Sequence, residues 1–141
     1  MIDACPDSAV LFFDVDGTLT FFDPDDMTDK DFSAVRPSRA VIEAFHRLRD
    51  AGHKAFICTG RPLWLIADSL RALEPAGIVA MAGATLEVEG RVVHEDCFDE
   101  DVIAELARRI SVAGGEALFE TNGATYSLEP VGVEQSFLLG A

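Results

Sequence analysis

Basic residues are scarce in this chain. Eleven Lys and Arg stand against 25 Asp and Glu, a formal net charge of −14. So acidic a chain argues against nucleic-acid and anionic-membrane partners, which select Lys/Arg patches. An anionic ligand would gain nothing from the global field and would need local donors or a metal. Cysteine is thin as well: Cys5, Cys58 and Cys97 are an odd number without metal-ligand spacing, which argues against a disulfide framework. No apolar run reaches the length of a membrane span, and the N-terminus lacks the basic region and apolar segment of a signal peptide. A cytoplasmic location is the expectation. What the chain does have is apolar residues, 49% of its 141, with a mean hydropathy of +0.20. That is enough for a real core at this length.

The most informative stretch is Leu11-Phe12-Phe13-Asp14-Val15-Asp16-Gly17-Thr18-Leu19. The apolar run from Ala9 to Phe13 reads as a buried parallel-type strand, too short for a helix. It ends in two carboxylates and a glycine. Side chains two apart on a strand point the same way, so Asp14 and Asp16 are expected to converge past the strand's carboxyl end. In open α/β sheets that edge is where ligands bind. Two carboxylates about 4 Å apart repel by roughly 4 kcal/mol at an effective dielectric near 20. A hard cation such as Mg²⁺ best relieves such a pair. The bland alternative is an Asp-Gly turn after a core strand.

Further elements follow in order. The acidic, aperiodic stretch 20–35, with Asp23, Asp25 and Asp26, reads as a loop. A helix is expected from Ser38 to Ala51, with Val41, Ala44, Phe45 and Leu48 on one face and Gly52 closing it. A second parallel strand over His53 to Cys58 would complete a right-handed βαβ unit. It runs into Thr59-Gly60-Arg61-Pro62, where Pro62 is expected to open a helix from Leu63 to Leu73. A hydroxyl, a free amide and a helix N-terminus would then gather beside the two aspartates, a place suited to an anion. A third strand over Gly77 to Ala82 follows. A hairpin is expected around Glu89-Gly90, a helix from Asp99 to Val112 and a second hairpin around Asn122-Gly123.

Asp14-Val15-Asp16-Gly17-Thr18-Leu19 resembles the first motif of the haloacid dehalogenase superfamily of phosphohydrolases, and Thr59-Gly60-Arg61-Pro62 resembles its second motif in the Cof-like subgroup. The resemblance implies an α/β fold: a Rossmann-like core with a parallel sheet over residues 1–83, then a hairpin and the start of an α/β cap over 84–141. It implies Asp14 as nucleophile, Asp16 as general acid/base, and Mg²⁺ on the Asp14 carboxylate and the Asp16 main-chain carbonyl. Thr59 and Gly60 would bind phosphate, while Arg61 would either clamp the phosphate or hold the loop. The substrate implied is a small phosphorylated, sugar phosphate-like metabolite. Many Cof-like relatives carry Asn-Gly where this chain has Ala82-Gly83, which removes that asparagine's polar contact.

The resemblance covers nearly the whole chain but only the first part of the family. Relatives add a lysine that steadies the phosphoryl group and a later acidic motif that completes the Mg²⁺ shell. Here the only lysines are Lys30 and Lys54, both before the second motif. A fragment or truncated gene product is therefore expected, nearly inactive by itself, weak in Mg²⁺ binding and prone to self-association. Two alternatives stand beside the phosphatase. One is a catalytically incompetent remnant serving as a binding module. The other is a phosphomannomutase-like phosphotransferase, which shares the Asp-Val-Asp-Gly-Thr-Leu-Thr wording.

Overall fold

The computed structural model describes residues 8–21 and 36–128. Cys5, the acidic stretch with Asp23, Asp25, Asp26 and Lys30, and the apolar end at 136–141 lie outside the described residues. The elements are β1 (Val10–Asp14), α1 (Arg39–Asp50), β2 (Lys54–Cys58), α2 (Asp68–Arg71), β3 (Gly77–Ala80), β4 (Thr85–Val88) and β5 (Arg91–Glu95). After them come α3 (Glu100–Val112), β6 (Ala117–Glu120) and β7 (Thr125–Leu128). Short 3₁₀ turns occupy Leu63–Leu65 and Met81–Gly83. The first five strands make one sheet in the order β1-β2-β3-β4-β5, and β6 and β7 make a separate pair.

The βαβ expectation holds. β1 pairs parallel to β2 and β2 parallel to β3, with Phe13 beside Ile57 and Ile57 beside Ile78. α1 forms where Ser38 caps it, its hydroxyl accepting from the Val41 N–H at 3.3 Å. Phe45 of α1 packs on Phe13 of β1 with ring centroids 5.2 Å apart. Ile57, Ile78 and Leu70 of α2 belong to the same buried cluster. One sheet face is therefore covered by both helices of the crossovers.

The other face differs from the expectation of a fully buried β1. Val10 and Phe12 are 58% and 62% exposed. Among the described residues β1 is the outermost strand of its sheet, and its alternate residues point away from α1. Phe12 packs sideways on Phe56, with centroids 5.4 Å apart. That ring in turn fills the space where a side chain at residue 77 would stand, since a Cβ on Gly77 would lie 2.5 Å from it.

The stretch after Pro62 is the second difference. Instead of one helix from Leu63 to Leu73 there is the 3₁₀ turn, an extended break at Ile66 and Ala67, and the single-turn α2. Pro62 itself is extended, with φ −68° and ψ 159°. The break lets Leu63, Ile66, Ala67, Leu70 and Leu73 all reach the core. Their i, i+3, i+4, i+7 spacing mimics a continuous helix while burial bends the chain. No helix N-terminus of useful length points at the carboxyl edge from this segment.

The chain forms two compact units, Met1–Glu95 and Asp96–Ala141. The hairpin β4–β5 stays with the first unit because β4 pairs antiparallel with β3 along four residues, Gly77 opposite Val88 through Ala80 opposite Thr85. Its Glu89-Gly90 corner has φ of 50° and 73°, as a mirror-image two-residue turn requires. In the second unit, Asp99 sits at the N-cap of α3, with Glu100 and Asp101 in its first turn complementing the helix dipole. The Asn122-Gly123 corner closes differently, with no positive φ at either residue. Thr121 Oγ1 accepts from the Gly123 and Ala124 N–H groups at 3.2 and 3.0 Å. Among the described residues no helix is long and apolar enough to cross a membrane.

β3 stops at Ala80, two residues short of the expected end, because Met81, Ala82 and Gly83 have φ of 51°, 54° and 105°. Left-handed backbone costs an L-residue roughly 1–2 kcal/mol. Ala82→Gly should therefore stabilise the protein by about 1 kcal/mol in urea unfolding, the released strain outweighing glycine's extra unfolded-state entropy. A loss of stability would contradict the strained turn.

Candidate active site

The parallel register sets the geometry. Asp14, the last residue of β1, lies beside Cys58, the last residue of β2. The two following loops, residues 15–20 and 59–62, therefore leave the sheet side by side at its carboxyl edge. Asp14 is exposed there.

The first loop is wound around one oxygen. The Val15 carbonyl accepts from the N–H groups of Leu19 and Thr20, both at 3.0 Å, and from Thr20 Oγ1 at 3.1 Å. Gly17, at φ 85°, makes the reversal and donates its N–H to the Thr20 carbonyl at 2.8 Å. Val15, Leu19 and Thr20 are buried. The apolar and hydroxyl residues of this loop thus anchor it inward while Asp16, 44% exposed at its side chain, stays at the surface.

The second loop is fixed from its far side. Thr59 is buried and donates its N–H to the Val79 carbonyl at 2.9 Å. Its carbonyl accepts from Ala82 N–H at 3.1 Å, and the Arg61 carbonyl accepts from Met81 N–H at 3.0 Å. The left-handed turn after β3 is the buttress of this loop. Thr59 Oγ1 accepts from the Arg61 N–H at 3.2 Å, closing the bend over Gly60. Gly60 is exposed and has open space where a Cβ would stand.

A side-chain bond joins the loops. Arg61 is buried, and its Nε donates to Asp16 Oδ2 at 3.2 Å while Nη2 pairs with Oδ1. Asp14 at the end of β1, and Asp16, Thr59, Gly60 and Arg61 on the two adjacent loops, thus share one sheet edge. The Met81–Gly83 support is what the sequence reading missed. Gly83 was its one visible sign, because left-handed Met81 and Ala82 leave no mark in residue type.

Cys58 senses Asp14. Burial pushes its thiol above the usual range, and the adjacent Asp14 carboxylate raises it further by opposing a second negative charge. It is a free thiol held protonated at neutral pH and sits inside the strand. For a cation, the donors at this edge are the oxygens of Asp14 and Asp16. Among the described residues no group of three or more His, Cys, Asp or Glu gathers. Those oxygens are hard donors and suit Mg²⁺ in kind, although Asp16 already spends its carboxylate on Arg61.

A parallel βαβ sheet with an antiparallel hairpin at one end, its polar loops at the carboxyl edge, is a Rossmann-like α/β core. The chain belongs to the haloacid dehalogenase-like hydrolases, whose family model matches residues 11–137. It is 26% identical over 103 residues to YkrA of Bacillus subtilis (strain 168), covering 73% of this chain and 36% of that protein. Among solved structures it is similar to the HAD subclass IIB sugar phosphatase BT4131, with 27% identity and a TM-score of 0.64 over 84% of this chain and 43% of that one. The phosphatase BT1666 from Bacteroides thetaiotaomicron shares the fold at a TM-score of 0.72 and 22% identity, over 90% of this chain and 44% of that one. The chain spans less than half the length of these relatives.

The Asp14–Cys58 juxtaposition yields a test. Thiolate alkylation of Cys58 by iodoacetamide should show a midpoint above that of an ordinary thiol. In Asp14→Asn it should fall part of the way back, since burial, the larger cause, remains. An unchanged midpoint in Asp14→Asn would separate the two side chains.

Proposed function

We propose that this chain carries the nucleophile, the proton-transferring group and the anion loop of a Mg²⁺-dependent phosphomonoester hydrolase working through an aspartyl-phosphate. The observation that supports it most is the meeting of Asp14 and Asp16 with the Thr59–Arg61 loop at one sheet edge.

In this reading an Asp14 carboxylate oxygen attacks phosphorus, and the bond to the ester oxygen breaks. Asp16 gives that oxygen its proton, so an alcohol leaves and Asp14 is phosphorylated. Asp16, now ionised, takes a proton from water as the water attacks phosphorus; inorganic phosphate departs and both residues return to their starting states. Splitting one slow displacement into two is the gain of nucleophilic catalysis. The Thr59 hydroxyl and the Gly60 N–H would donate to the equatorial phosphoryl oxygens, where charge is greatest in transfer. A Mg²⁺ ion held by the Asp14 carboxylate and the Asp16 main-chain carbonyl would neutralise charge between nucleophile and phosphate.

The substrate class proposed is a small sugar phosphate-like metabolite. The sugar phosphatase BT4131 among the relatives supports it. With a net charge of −14, substrate capture would rest on these local donors and the cation.

Assay of the native protein, at the length its own cell makes, tests the reading on aryl and alkyl phosphates. Turnover should require Mg²⁺ and cease in excess chelator; full turnover under chelation would sink it. Thr59→Ala should slow the reaction roughly 10²–10³-fold, as the loss of one oxyanion donor does. An unchanged rate would return Thr59 to a role in the strand end alone.

A further inference from the structure

We propose that Arg61 is a positioning residue for Asp16 and not a phosphate clamp, an inference that rests on the phosphatase reading above. Both a clamp and a loop support are compatible with the sequence alone. The geometry favours a third role, aimed at the proton-transferring carboxylate itself.

Three observations carry it. First, the guanidinium meets Asp16 as a fork, Nε on one carboxylate oxygen and Nη2 on the other. Two parallel donors fix a carboxylate in rotation as well as in place, which one ammonium cannot do. Second, exposure is unequal: the Arg61 side chain is 7% exposed and that of Asp16 44%. A ligand arriving from solvent meets Asp16 before it meets the guanidinium beneath. Third, the Arg61 backbone is held on both sides, its N–H by Thr59 Oγ1 at 3.2 Å and its carbonyl by Met81 N–H at 3.0 Å. The cation is therefore anchored to β2 and to the turn after β3, whereas Asp16 rides on the loop after β1.

Asp16 needs this. It lies past the end of β1, where an isolated β-bridge to Thr20 fixes its backbone but leaves its carboxylate free to turn about χ1. A general acid must stand within hydrogen-bond reach of the leaving oxygen, and small misplacements are costly. The buried fork transfers the rigidity of the second loop to a carboxylate on the first.

Leaving-group chemistry separates the roles. p-Nitrophenol leaves without help from an acid; the alcohol of glycerol phosphate does not. In native protein with Mg²⁺, Arg61→Met should lower kcat/KM on glycerol phosphate about 100-fold, the scale of acid catalysis. On p-nitrophenyl phosphate the loss of kcat/KM should be smaller than about 10-fold, because kcat/KM reads only the step that phosphorylates Asp14, where p-nitrophenol needs no acid; the later base role of Asp16 enters kcat alone and slows both esters alike. In an Asp16→Asn background Arg61→Met should add no further loss on glycerol phosphate, since the group it positions is gone. Arg61→Lys, keeping the charge without the fork, should fall between. Should Arg61→Met not fold, Arg61→Gln carries the same expectation.

A tenfold rise in KM on both esters, additive with Asp16→Asn, would make Arg61 a phosphate clamp. Equal loss of kcat/KM on both esters would reduce it to a structural residue. Either overturns the proposal alone. A wild type with no Mg²⁺-dependent turnover of either ester overturns the phosphatase reading and the positioning role together.

Discussion

The parallel register of β1 on β2 is the constraint from which the site follows. Because Asp14 ends level with Cys58, two loops that are more than 40 residues apart in sequence begin at the same height. Slipping either strand by one residue would turn Asp14 to the opposite face and separate the loops. The register is held by Phe13, Ile57 and Ile78, side by side under Phe45 and Leu70. Packing in the core thus decides where a carboxylate stands at the edge.

From that edge, order spreads outward through main-chain bonds. The strained turn at Met81–Gly83 holds Thr59 and Arg61, and Arg61 holds Asp16. Strain tolerated next to a candidate site belongs with the general pattern in which well-supported outliers cluster where geometry must be fixed. The net charge makes such local fixing more consequential. With acidic residues dominant, a phosphate on the proposed reading would be held by a few aimed donors or not at all.

Much of this was legible in the residues. The Ala9–Phe13 run, Pro37-Ser38, and the Glu89-Gly90 and Asn122-Gly123 corners each act through local chemistry, and each lies in or beside the element it signals. The double aspartate and the Thr59–Pro62 loop are also local patterns, and the parallel βαβ unit they flank brings them to one edge. What could not be read was decided by tertiary packing. Ile66 and Ala67 fit a helical face and instead bend inward, breaking the Leu63–Leu73 helix. Val10 and Phe12 read as core and lie open, because burial depends on which layers flank a strand. The hairpin after Gly83 joins β3, where periodicity alone did not specify a partner. Arg61 shows the same limit: its residue type announces a cation, while its partner Asp16 is set by how two loops meet.

The central claim is that Asp14 becomes covalently phosphorylated. Rapid quenching of the native protein during turnover of a phosphate ester, reduction of any acyl phosphate by borohydride, and peptide mass spectrometry would locate the modified residue. The account predicts reduction at Asp14 and none at Asp16. Turnover with no trapped acyl phosphate, or with the label on another side chain, would contradict it.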